Sequence, residues 1–221
     1  MNLSFRALRE ELHISDYPGA DVPVLPRPTE QDYEWARANP GGWQPFVDPR
    51  ADKSALTEAN VLGGFVADDK GGIVPRLNPK FVPTPEYAKR DIANELELVI
   101  WRMDYGFSNI GDFVDAFSRS EVIALLSPAD PQGLKGMPVR RTGDEWGFDI
   151  YTSANRLPPE TNPWLRRTIS GRLVLDEICP HERMSILFNP EGIPFLELRG
   201  SQLVTWWREV QDAKLAAGQE Q

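Results

Sequence analysis

The residues able to do chemistry are few and poorly grouped. Cys179, Pro180 and His181 put a thiol two positions from an imidazole, and Ser185 follows four positions later. His13 is the other histidine. A structural zinc takes four ligands, so a C-x-H pair with no second pair leaves the tetrahedron incomplete. Nucleophilic catalysis needs an activated Ser or Cys beside a base. Ser185 falls in a predicted strand, with no G-x-S-x-G elbow around it. Paired carboxylates occur at Asp68-Asp69, Asp144-Glu145 and Asp176-Glu177. General acid–base work needs one carboxyl desolvated and raised in pKa. The first two pairs lie in predicted hairpin turns, where Asp is simply a turn residue. Gly63-Gly64 and Gly71-Gly72 fit neither the P-loop nor the dinucleotide fingerprint. No catalytic residue, cofactor site or metal site is expected. What remains is surface. The acids Asp68, Asp69, Asp144 and Glu145 can present negative charge to a protein partner. Trp206 sits about 100° round a predicted helix from Trp207 and can serve as a binding anchor.

The totals narrow the partners. The 221 residues carry a net charge of -9, with 41% hydrophobic and 26% charged residues. That composition is ordinary for a globular protein able to bury a core. Nucleic acid and anionic membrane need clustered Lys and Arg and are disfavoured; a basic protein partner, or plain solubility, fits the charge. A single cysteine excludes an intrachain disulfide. No apolar run approaches the roughly 18 residues of a membrane span. The start, MNLSFRALREELHISDY, carries acids where a signal peptide needs an apolar core, so a cytoplasmic location is expected.

The elements that would position these groups read as follows. Phe5, Leu8 and Leu12 give a short amphipathic helix over residues 1–13, followed by a Pro- and Gly-broken connector to Pro28. Thr29 caps a helix that must stop before Pro40. Trp43 to Val47 is a strand. Asn60–Ala67 and Gly72–Leu77 flank an Asp68–Gly71 turn, and Pro75 puts the second of them at an edge. A helix from about Asp91 carries the stripe Ile92, Leu96, Val99, Ile100 and Met103 and stops at Gly106. A short helix spans Asp112–Phe117. Glu121–Leu126, nearly all apolar, reads as a central strand buried on both faces. Met137–Arg141 and Trp146–Thr152 bracket a turn containing Asp144 and Glu145. Arg166–Ile169 is a short strand and Arg172–Ile178 a helical turn. Met184–Phe188 and Ile193–Leu198 are strands around Asn189–Gly192. Ser201 caps a last helix with Leu203, Val204, Trp207 and Val210 inward. Together these predict an α+β fold, with a mostly antiparallel or mixed sheet, several hairpins, and helices packed on one face.

An ordered set of motifs accompanies this pattern: Ala36 to Trp43 (ARANPGGW), Asp48-Pro49, Leu62 to Phe65 (LGGF), Asp69 to Gly72, Asn78 to Pro85 (NPKFVPTP) and Tyr105-Gly106. Glu121-Val122, Thr152-Ser153 and Leu187 to Pro190 (LFNP) come later. In this order they resemble the actinobacterial type VII secretion system-associated proteins, and the C-terminal half, about 107–216, is similar to the SseB-like domain. The likeness spans roughly Thr29 to Trp207. Glu86 to Ile92 departs from the family pattern. The implied organisation is an arm and connector over 1–28, the secretion-associated region over 29–216 and a fraying tail over 217–221. The implied role is that of a cytosolic, non-catalytic factor binding a secreted substrate or a machinery component. A second reading is an immunity protein that neutralises a cognate secreted toxin by stoichiometric binding. A third is a cryptic hydrolase using Ser185 or Cys179 with His181.

Overall fold

A computed structural model describes residues 25–88, 91–190 and 192–219. The predicted first helix, most of the connector, His13 and Glu191 lie outside these residues. The described chain forms two compact units. One holds the residues up to Asp91 together with Tyr105–Phe107; the other holds Ile92–Asp104 and Ser108 onward. The fold is α+β, as the sequence predicts.

In the first unit, α1 (Glu30–Ala38) starts in a capping box. The Thr29 backbone N–H donates to the Asp32 carboxylate at 2.7 Å, and Asp32 N–H returns to the Thr29 hydroxyl at 3.4 Å. Strands β1 (Trp43–Val47), β2 (Val61–Ala67) and β3 (Ile73–Leu77) form an antiparallel sheet in that order. Both outer strands carry a proline, Pro45 and Pro75, which blunts edge pairing. Gly63-Gly64 marks a close approach rather than a phosphate loop. A Cβ on Gly63 would lie 2.2 Å from the Arg76 carbonyl oxygen, and one on Gly64 would strike the Trp43 ring. Asp48 is buried; its carboxylate accepts the Arg50 N–H at 2.9 Å and the Tyr87 hydroxyl at 3.2 Å. The short helix α2 (Pro85–Ala88) supplies that Tyr87. Phe65 and Phe81 fill the interior; Phe46 meets Phe65 edge-on at 4.7 Å, and Phe107 stacks on Phe81 at 4.9 Å.

The second unit contains a six-stranded sheet in the order β7-β4-β6-β8-β9, with β5 also paired to β6. The strands are β4 (Glu121–Leu125), β5 (Arg140–Thr142), β6 (Glu145–Tyr151), β7 (Arg166–Ser170), β8 (Met184–Phe188) and β9 (Leu196–Arg199). Only the β6–β8 pair is parallel. The helices are α3 (Glu95–Asp104), α4 (Ile110–Arg119), α5 (Gly171–Leu173) running on into a π-helical turn (Val174–Ile178), and α6 (Gly200–Gln219).

Alternation within the strands decides where the core sits. Val122 and Ala124, Phe148 and Ile150, Met184, Ile186 and Phe188, and Leu196 and Leu198 all enter one hydrophobic core with the apolar stripes of α3, α4 and α6. Successive strand side chains point to opposite faces, so all of these come from one face of the sheet.

Several expectations are corrected. The strand β4 is not buried equally on both faces: Ile123 and Leu125 are half-buried while Val122 and Ala124 are fully buried. Its apolar run looks two-sided because half-buried positions at a sheet centre also tolerate aliphatics. Helix α3 begins at Glu95 rather than near Asp91, because the Asn94 side chain caps it by accepting the Glu97 N–H at 3.0 Å. Helix α4 is longer than predicted, starting at Ile110 behind an Asn109–Asp112 capping box. Helix α6 starts at Gly200, directly after β9, rather than behind a Ser201 cap, and spans Gly200–Gln219.

Candidate functional site

Below the sheet the face is occupied by the core. The opposite face carries a depression of about 510 Å³. That volume lies within the usual range of ligand clefts. Its geometry follows from register. Arg140 of β5 is opposite Gly147 of β6, which is opposite Ser185 of β8, which is opposite Arg199 of β9. One row across four strands therefore has arginines at both ends and the two smallest side chains between them, and the floor is low there. Two residues along the strands, Asp149, Leu187 and Glu197 form the next row. On the other side, Thr142 and Glu145 form a third.

The charges across this face are cross-linked. Arg140 binds the Asp149 carboxylate through Nε and Nη2, at 3.0 and 2.8 Å. Arg199 reaches Glu145 at 3.4 Å. These pairs are half exposed, so each contributes only about 0–1 kcal/mol. Glu197 makes no ion pair among the described residues. Oε2 of Glu145 is shielded from water and accepts no hydrogen bond, which leaves an unmet acceptor at the rim.

A second polar constellation, buried, lies in the same unit. Glu97 of α3 is 1% exposed. Its Oε1 accepts from the Thr152 hydroxyl at 2.7 Å, the Ser153 hydroxyl at 2.8 Å and Arg156 Nε at 3.0 Å. Its Oε2 accepts from Arg156 Nη2 and from the Ala93 N–H. Asn189, at the end of β8, accepts the Thr152 N–H and donates to the Pro194 carbonyl, both at 2.8 Å. Asn189 adopts φ 51, a left-handed conformation that Asn tolerates better than most residues. Burial alone would raise the Glu97 pKa; Arg156, the Ala93 N–H and the two hydroxyls overcome it and hold the pKa below its ordinary value. Every carboxylate oxygen is satisfied and the partners are enclosed, so this cluster is a structural clamp rather than an exposed reactive group.

No family model, curated protein or solved structure matches the chain. The site must be judged on its own geometry.

The predicted interaction residues separate. Asp68 and Asp69 are exposed in the β2–β3 turn of the first unit, but the Asp68 carboxylate is committed to that turn, accepting the Lys70 and Gly72 N–H groups at 2.8 and 2.6 Å. Asp144 stands in the two-residue turn between β5 and β6, 3.5 Å from Arg183. Glu145 is not a turn residue. It is the first residue of β6, and it lines the depression. The turn is tighter than the sequence reading because Gly143 takes φ 63, closing the hairpin with Gly143 and Asp144 alone. Trp206 is half-buried against the core beside the buried Trp207. Two tryptophans of this unit are exposed: Trp164, 86% exposed on a loop that no sequence signal marks, and Trp146 of β6, which borders the depression.

The nucleophile candidates are also placed. Cys179 is buried in the core, and burial pushes its thiol up to about 12, so at neutral pH it is protonated and packed. His181 is exposed, and no hydrogen bond joins it to Ser185 or Cys179 among the described residues. Among those residues no group of three or more His, Cys, Asp or Glu is placed to hold a metal. No described helix is long and apolar enough to cross a membrane.

Proposed function

We propose that the protein is a non-catalytic, cytoplasmic binding factor of a type VII secretion system, and that it seats a secreted substrate or machinery component on the open face of the six-stranded sheet. The observation that carries this reading is the one-sided packing: helices take one face, and the other bears a depression with charges of both signs around a small-residue floor. Mixed charge of this kind confers partner choice more than raw affinity. The family likeness in the ordered motifs supplies the secretion context, and the protonated, buried Cys179 argues against the Cys179 form of the hydrolase reading.

The immunity reading uses the same face, with a toxin as the occupant. The net charge of -9 favours a basic partner in either case. The test is a pull-down from cells carrying the gene in its native setting, comparing the wild type with Leu187→Arg. Leu187 is half-buried on the floor and outside the core. The expected result is a stable protein partner whose capture falls at least tenfold in the variant, with the variant's thermal unfolding close to wild type. A partner with a toxic domain selects the immunity reading; an intact substrate without one selects the secretion factor. Absence of any stable protein partner, or undiminished capture by the variant, sinks the proposal.

A further inference from the structure

The three rows of the open face carry a charge order. Glu145 marks the first, Arg140 and Arg199 the second, Asp149 and Glu197 the third. Along the strand direction the surface therefore runs acidic, basic, acidic, with a step of two residues, about 6.7 Å. An extended polypeptide presents residues i, i+2 and i+4 on one side with the same step. Resting on the reading of this face as a protein-binding surface, we propose that its ligand is an extended segment whose inward residues alternate basic, acidic, basic.

The arrangement has the room and the donors for this. Arg140 and Arg199 stand three strand spacings apart, about 14 Å, with only Gly147 and Ser185 between them. A carboxylate set above that floor lies within reach of both guanidinium groups, each of which can bind it bidentately. Both arginines are more than half exposed in their present pairs, so redirecting them breaks only weak surface contacts. The Glu145 carboxylate that Arg199 releases, and the Glu197 carboxylate, are then met by the segment's two cations. Glu197, unpaired among the described residues, and the unsatisfied Oε2 of Glu145 already favour cations at those ends. The order reads the same in both directions, so charge alone does not fix the polarity of the segment.

The test uses the full chain and three fluorescein-labelled, end-blocked peptides with threonine flanks, followed by anisotropy. The first has the core Lys-Thr-Glu-Thr-Lys. The second has the same composition with contiguous charges, Lys-Glu-Lys-Thr-Thr. The third is inverted, Glu-Thr-Lys-Thr-Glu. The first should bind at least tenfold tighter than both others, and the double variant Arg140→Glu with Arg199→Glu should abolish that preference over the contiguous peptide. Equal binding of the first two peptides overturns the proposal, because general attraction to an acidic protein would treat them alike. So does a preference that survives the double variant. Either outcome leaves the Leu187→Arg capture result standing, so a wrong charge rule is distinguishable from a wrong binding face.

Discussion

Glu97→Ala is expected to destabilise the six-stranded unit by about 3–5 kcal/mol, the usual cost of removing one partner from a buried ion pair. The variant takes the carboxylate away from the Arg156 guanidinium, whose side chain is 10% exposed, and from the Thr152 and Ser153 hydroxyls. The unfolding midpoint should fall by roughly 10–20 °C. The pH dependence has a definite sign. The Glu97 pKa is lower in the folded chain than its ordinary 4.5. Its contribution is therefore complete above about that value and is lost as the pH falls through the folded pKa. Glu97→Gln removes the titration but keeps the shape. The wild type should thus melt well above Glu97→Gln at pH 7, and the gap should narrow as the pH drops below about 4.5. Calorimetry of both proteins across this range checks it; a gap that stays constant or widens on acidification contradicts the clamp.

Phe188→Ala should cost a similar amount, about 3–5 kcal/mol, by a different mechanism. Phe188 is fully buried and meets the rings of Phe113 and Phe117 edge-on at 5.4 and 5.0 Å. Truncation leaves a cavity between β8 and α4, lined by rings held on the backbone of one helix and unable to collapse freely. Chemical denaturation measures it: the midpoint should drop with the slope unchanged. The strand shows how one short motif divides its duties. Leu187 faces the depression, Phe188 the core, and Asn189 leaves the strand in a left-handed conformation to hold Thr152.

Local features were legible in the sequence wherever the cause was local. The Thr29 cap, the Asp68–Gly71 turn, the edge proline Pro75 and the apolar stripe of α3 each arise from residues within a few positions of one another. The Glu97 clamp was not legible as a clamp. Glu97 lies inside an amphipathic helical pattern where an acid looks solvated, and its hydroxyl partners stand 55 and 56 positions away. Its hydroxyl partners were nevertheless among the motif landmarks: Thr152-Ser153 donate to that carboxylate, and Asn189 of the later motif holds Thr152. The depression was hidden for another reason. Strand alternation assigns faces within β6, β8 and β9, but the row from Arg140 to Arg199 exists only once four strands, distant in sequence, adopt their register. Glu145 entered the sequence reading as a turn acid and reaches the site as a strand residue.

The central claim is that the face of the six-stranded sheet opposite the helical core is the docking surface. The most direct measurement is amide hydrogen exchange on the captured complex against the free chain. The account predicts slowed exchange concentrated in β5, β6, β8 and β9, at Arg140–Thr142, Glu145–Gly147, Ser185–Leu187 and Glu197–Arg199. Protection confined instead to the Trp164 loop or to the three-stranded unit, with those four segments unchanged, would contradict it.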